Sequence, residues 1–479
     1  MKKNPFIRFF CFLLAAIIPF AAISGIVIFS GDAYTETFLG ELPYKVERLD
    51  TLESPKIIVI GGSSVAFGLD SAMLEEYTGL PVVNFGLYAD LGTKIMLDLA
   101  IKSVKDGDIV VIAPELDSQT LSLFFNGESA WRACEGRLSL LTRIGKDNIS
   151  DMIGSVFGYL TAKMSRLATG DTSSSGVYSR SAFNAYGDIS FYRPYNIMSV
   201  GYDISKPVSF GTDIFSGDFI DYVNDFAGKC EKLGATVCWS FPPVNESGIE
   251  AGTASETYSE LYAWLCGQLN FEIISNPGDY VMPSEYFYDT NFHTNTAGTA
   301  RHTYHLACDL RRFLGITGLF TCDLPEPEEK PATDDTGESS WSQYFIFSDI
   351  TDTGGQIIGL AVCGMTEEGK SLPSVEIPSA HDGKKVIQIK AGCFDGCTSL
   401  GSVTIKSNIE SMENGAFAGC PSLSKVHIYK ETEIIIDQTL LTEGAPDGMK
   451  FVFHDAETFN LYSTGYFWAN YCGRMVLAD

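Results

Sequence analysis

Five short apolar runs constrain this 479-residue chain most. They are Lys56-Ile-Ile-Val-Ile60, Pro81-Val-Val-Asn-Phe85, Asp108-Ile-Val-Val-Ile-Ala113, Ala235-Thr-Val-Cys-Trp-Ser-Phe241 and Phe271-Glu-Ile-Ile274. Each is too short for a core helix and lacks the polar–apolar alternation of a strand with one wet face. A strand apolar on both faces must be covered on both, and longer amphipathic stretches between the runs supply that cover. The pattern predicts an α/β fold: a doubly wound parallel sheet in three layers, spanning about residues 50–318, with ligands at the carboxyl ends of its strands. Between Leu116 and Ser209 the pattern weakens, and the segment reads equally as a substrate-facing lid or a variable surface loop.

Beyond the sheet, residues 319–340 are rich in Pro, acid and small polar residues and read as a solvated linker. In residues 341–479 an internal repeat appears. Phe394-Asp-Gly-Cys-Thr-Ser-Leu-Gly-Ser-Val-Thr-Ile405 aligns with Phe417-Ala-Gly-Cys-Pro-Ser-Leu-Ser-Lys-Val-His-Ile428 at a shift of 23 residues. Such a turn cannot bury its own apolar face, so turns stack into a solenoid, with Cys397 above Cys420 in the inner ladder. The block Ala416 to Leu423 resembles the BspA-like leucine-rich repeats of bacterial surface proteins; the earlier turn has Cys393 where that family has Ala. Only two turns are clean, which predicts a short array. The resemblance implies a protein or glycan ligand for the repeats.

At the N-terminus, Lys2, Lys3 and Arg8 precede an uncharged stretch from Phe9 to Ser30. As a helix it would be about 33 Å long, enough to cross a bilayer core. Residues 1–31 are therefore expected to be a single-pass membrane anchor, with everything after Gly31 outside the cell membrane. A cleaved signal peptide is the rival, but its apolar region is shorter and no clean small-x-small site follows. Net charge is −27, so the surface repels phosphate backbones and no nucleic-acid partner is expected. Cys11 lies in the anchor, leaving eleven of twelve cysteines outside, without CxxC pairs that a histidine could complete into a zinc site.

The chemistry concentrates at two places. Ile57-Ile-Val-Ile-Gly-Gly-Ser-Ser-Val-Ala-Phe-Gly68 carries a strand through a glycine turn into a helix. A serine there meets free N–H groups that favour an attacking alkoxide and an oxyanion; an ordinary glycine-rich turn capped by Ser64 is the plain alternative. No Lys follows the glycines and no third glycine completes a dinucleotide fingerprint, so nucleotide is disfavoured. The second place is Tyr288-Asp-Thr-Asn-Phe-His-Thr-Asn-Thr-Ala-Gly298, where Asp289 can orient His293. Only His293, His302 and His305 precede the linker, and the last two sit on a helical stretch. A metal site from Asp289, His293, His302 and His305 would need a reverse turn. Glu115 and Asp117, at the end of the third strand, read as a solvated terminus rather than pocket lining.

These blocks, with Val-Val-Asn-Phe-Gly-Leu at Val82 to Leu87, resemble the SGNH (GDSL-type) hydrolase superfamily over about residues 50–315. The likeness is to membrane-anchored bacterial members related to the D-alanyl-transfer protein of lipoteichoic acid. It implies a flavodoxin-like three-layer fold, Ser63 as nucleophile (Ser64 in the alternative register), His293 as base and Asp289 as its orienter. It also implies an oxyanion hole at the Gly86 N–H, with Asn84 nearby. The superfamily's third block, Gly-x-Asn-Asp, has no counterpart where the strand ends Ala113-Pro-Glu-Leu-Asp117, and three residues rather than two separate Asp289 from His293. The expected activity is that of an esterase or O-acyltransferase on acylated glycans or cell-envelope polymers, with no cofactor and no metal. The alternative is an adhesion protein that binds through its repeats, its α/β domain inert.

Overall fold

The computed structural model describes residues 22 and 24–478, apart from 171, 173, 175, 199, 319–321, 329–338, 353–355, 407, 431, 437–443, 455 and 465–466. Most of the expected anchor and of the expected linker lies outside the described residues. Among those described, no helix is long and apolar enough to cross a membrane.

The five apolar runs all become strands: β1 (Ile57–Gly61), β2 (Val82–Gly86), β3 (Ile109–Ile112), β4 (Thr236–Trp239) and β5 (Glu272–Ile273). They pair in parallel in the order β2-β1-β3-β4-β5. Their alternate residues serve two cores. Ile58, Ile60, Val83, Val110 and Ile112 face one layer, built by α1 (Leu42–Thr51), α4 (Thr93–Ala100), α6 (Gly217–Lys232) and α7 (Ser255–Gln268). Ile57, Val59, Val82, Val111 and Cys238 face the other, with Leu74 of α3 (Ser71–Thr78) and Leu306 and Leu310 of α8 (Thr296–Phe313). Two dry faces are why the central β1 and β3 are apolar throughout, whereas β5 at the edge exposes Glu272. The strand order reverses between β1 and β3, so the crevice at the switch point opens where β1 runs into α2 (Ser63–Gly68).

The entry edge of the sheet is locked by a fully buried ion pair, Lys56 Nζ to Asp108 Oδ2 at 3.0 Å. Asp108 also accepts the backbone N–H groups of Lys56 and Lys105, at 3.2 and 2.9 Å. The pair fixes the starts of β1 and β3 against each other.

In the C-terminal region, Ser374–Glu376, Ser402–Ile405, Lys425–Ile428, Lys450–Phe453 and Met475–Leu477 stack as one parallel sheet. A second sheet joins Lys384–Ile389, Ser411–Met412 and Ile435–Ile436 to an antiparallel hairpin, Phe345–Thr351 with Ile357–Met365. Phe394 stacks on Phe417 with centroids 5.8 Å apart, and Cys397 and Cys420 are buried beside them. The array exceeds the two turns visible as repeats. Val375, Val403, Val426, Phe451 and Met475 stand in register, because the ladder requires apolar volume rather than identical residues. No disulfide forms among the described cysteines.

Replacing Lys56 with Met is expected to strand the buried Asp108 carboxylate and cost ~3–5 kcal/mol of unfolding free energy, read as a lower urea midpoint.

Candidate active site

The turn from β1 into α2 is shaped by what touches it. A Cβ on Gly61 would stand 2.5 Å from the Ala113 carbonyl oxygen, and one on Gly62 would stand 2.9 Å from Glu115 Oε1. Only glycines let β1, β3 and the Glu115 carboxyl approach this closely. Ser63 opens α2, which has six residues, so its N-terminus offers a few free N–H groups rather than a long macrodipole. Ser63 Oγ donates to Glu115 Oε1 at 2.9 Å, and the Ser64 N–H donates to the same oxygen at 2.8 Å. Ser64 Oγ is fully buried and has no hydrogen-bond partner among the described residues, so the two serines face different surroundings.

Glu115 corrects the reading of the third strand's end as a solvated terminus. It is only 6% exposed and contacts the candidate nucleophile directly. Burial raises its pKa above the ordinary carboxylate value and Asp117 adds to the rise; His293 and the hydrogen bonds from Ser64 and Ser63 oppose it.

The Asp289 block folds as a tight loop before α8. His293 Nδ1 lies 2.8 Å from Asp289 Oδ1, while Tyr178 Oη donates to Asp289 Oδ2 at 2.5 Å. Asp289 is thus held from both sides, and it fixes the imidazole tautomer with Nδ1 as donor. Burial, reinforced by Asp289, drives the Tyr178 hydroxyl well above its ordinary pKa, so it remains a proton donor. The His293 ring lies flat on Phe67, 3.9 Å between centroids and 4° between planes. Phe67 is one helical turn beyond Ser63, so the imidazole packs on the helix that carries the serine. No hydrogen bond joins Ser63 to His293 here, and His293 Nε2 has no partner among the described residues.

Arg193, from the segment whose role the sequence left open, holds these parts together. It is 1% exposed and donates to the carbonyls of Phe67, Ile189, Phe191 and Thr294 and to Thr299 Oγ1. Thr294 and Thr299 hydroxyls donate to the same Phe67 carbonyl, at 3.0 and 2.7 Å. The same segment supplies Tyr178.

The residues expected at the oxyanion hole are used otherwise. The Gly86 N–H donates to Asn84 Oδ1 at 3.1 Å. The Asn84 amide donates to the Val65 carbonyl and to Asp188, whose carboxyl burial keeps above its ordinary pKa. Asn84 therefore braces α2. The Ser63 N–H has no acceptor among the described residues, and neither has the N–H of Ala89, whose Cα would stand 3.5 Å from a Cβ on Gly62. His302 is buried, donates Nδ1–H to the Gly68 carbonyl at 2.6 Å, and is lowered by burial to a pKa of about 4. No group of three metal-ligating side chains forms among the described residues.

Beyond Asp289 lies a cavity of about 120 Å³ between the sheet region and the repeats. Tyr178, Tyr202, Tyr288 and Thr290 line one wall; Glu410, Lys430, Thr432, Glu433 and Phe467 line the other. Lys206 crosses the gap, its Nζ 5.4 Å from the centre of the Phe467 ring.

Residues 368–442 match the family described as BspA type Leucine rich repeat region (6 copies). The C-terminal region thus contains BspA-type leucine-rich repeats, packed against a parallel α/β domain that bears the serine–histidine cluster. No curated protein matches the chain.

Because Glu115 is held above pH 4.5, the folded protein binds its proton more tightly than the unfolded chain does. This contribution to stability is present at low pH and is lost as pH rises through the raised value. Glu115→Gln is expected to flatten that loss, measured as urea midpoints on the alkaline side of pH 4.5.

Proposed function

We propose that the protein is a serine esterase or O-acyltransferase of the SGNH type, acting on acyl esters of cell-envelope or extracellular glycans. The observation that carries this reading is the Tyr178–Asp289–His293 chain, with Nε2 open and the imidazole stacked one helical turn from Ser63. In the proposed reaction the Ser63 side chain turns from Glu115 to His293 Nε2. His293 takes the hydroxyl proton as Oγ attacks the ester carbonyl, and Asp289 steadies the imidazolium. The tetrahedral oxyanion is received by the N–H groups of Ser63 and Ala89, the free donors at this edge. Glu115, its pKa raised by burial, holds Ser63 Oγ and the Ser64 N–H until the serine turns. Collapse returns the proton to the leaving hydroxyl. Water or a sugar hydroxyl then attacks the acyl-serine, with His293 again as base. The cavity wall of Lys430, Thr432, Glu433 and Phe467 supports a substrate held jointly by both regions. An outward address at the cell membrane follows from reading Phe9–Ser30 as an anchor.

One observation favours the second reading, a binding protein with an inert α/β domain: Ser63 is bonded to Glu115 and not to His293.

Labelling of the chain by a fluorophosphonate separates the two. Ser63→Ala should abolish labelling, His293→Ala should slow it by ~100-fold or more, and Ser64→Ala should keep it. Absence of labelling in the folded wild type sinks the enzyme and leaves the binder. In the esterase assay on an acylated glycan, Phe467→Ala should raise KM about fivefold at unchanged kcat, the worth of one aromatic contact of ~1 kcal/mol.

A further inference from the structure

The four most exposed large apolar side chains among the described residues gather in one region. They are Phe29 at 80%, Ile26 at 69%, Ile153 at 68% and Phe157 at 67%. Ile153 and Phe157 lie on α5 (Ile149–Thr169), which also leaves Ile149 and Met164 largely exposed. Positions 153, 157 and 164 fall along one edge of that helix, since four residues and eleven residues both close near whole turns. The neighbouring edge is buried by Met152, Tyr159 and Leu160. The apolar face of α5 is therefore wider than the protein covers.

Residues 26–34 are fastened to this same helix. Lys163 Nζ donates to the Ile28 carbonyl at 2.8 Å and pairs with Glu135 at 2.7 Å, both side chains being buried. Glu135 Oε2 accepts the N–H groups of Ala33 and Tyr34, at 2.7 and 2.5 Å. Arg166 donates to the Ala33 carbonyl, and Val27 packs against Tyr159 and Leu160. The end of the uncharged run Phe9–Ser30 is thus pinned rigidly beside the uncovered edge of α5.

We propose that this edge, with Ile26 and Phe29, docks on the lipid bilayer into which the preceding run inserts, seating Ile153 and Phe157 at the acyl-chain boundary. The inference rests on reading Phe9–Ser30 as a membrane anchor. A lipid surface fits better than an unrelated protein because the patch adjoins the point where the chain enters its anchor. The basic side chains of α5 do not compete for it: Lys163 and Arg166 turn inward to Glu135 and to backbone carbonyls, while Asp151 is exposed in the first turn. Charge attraction is not the driving force, since the chain carries −27 overall and anionic headgroups would repel it. Tethering confines the patch to the surface, so apolar contact suffices. The consequence is a fixed orientation of the α/β domain over the membrane.

The full chain carrying Phe157→Trp would be reconstituted in phosphatidylcholine nanodiscs, with and without dibrominated acyl chains. Ile357→Trp, exposed on the repeats, serves as the distal control, and wild type supplies the background of the five native tryptophans. The added emission of Phe157→Trp should fall more than twofold with brominated lipid, and Ile153→Trp should behave alike. That of Ile357→Trp should not change. Equal quenching at positions 157 and 357 would overturn the docking while leaving the anchor intact. So would protection of position 157 by a second copy in sedimentation. Failure of the chain to enter nanodiscs would overturn the anchor reading and the docking together.

Discussion

A single buried guanidinium holds the candidate site in one piece. Arg193 reaches the Phe67 carbonyl at the end of α2 and the Thr294 carbonyl and Thr299 hydroxyl at the start of α8. The serine and the histidine lie more than two hundred residues apart in sequence, and their meeting depends on these two helix ends being tied. The Phe67 carbonyl is the shared acceptor, taking hydrogen bonds from Arg193, Thr294 and Thr299. Desolvating Arg193 is costly enough to lower its pKa to about 10, and the carbonyls around it repay that cost only in this arrangement. The stacking of His293 on Phe67 is the outcome of the same tie.

The repeats are part of the site's surroundings rather than a distant appendage. Glu433 accepts the N–H groups of Phe467 and Trp468, at 3.0 and 3.2 Å, which sets the Phe467 ring in the wall facing Tyr178 and Asp289. Its charge also contributes to raising the Tyr178 pKa. A solenoid presents an extended surface, and here one stretch of that surface closes the rear of the histidine–aspartate pair. The cavity reaches Tyr178 and Asp289 but is lined by neither Ser63 nor His293, and the proposed enzyme and the binding alternative differ in whether Ser63 can turn toward His293.

Much of the fold was legible because its signals are local. Apolar runs with no alternation could only be doubly covered parallel strands, and the match of Phe394 to Phe417 could only be a stacked turn. The Asp289–His293 pair was legible for the same reason, both residues lying on one short loop. The remaining turns of the solenoid were not, because Val375, Phe451 and Met475 occupy the ladder with similar volume but no shared motif. Nor was the fate of Asn84 and Gly86 legible. Their hydrogen bonds go to each other, to Val65 and to Asp188, and the last two are set by packing of the third layer.

The sequence by itself determined the class of sheet and the presence of stacked repeats, because period and composition act over a few residues. Only the tertiary structure decided that Glu115 is buried against Ser63, that Tyr178 holds the far side of Asp289, and that Arg193 joins the two blocks. Those roles arise from desolvation and from hydrogen bonds between segments remote in sequence. A glutamate at a strand end reads as solvated until the fold removes its water, and an arginine in an unpatterned segment reads as surface until carbonyls close around it.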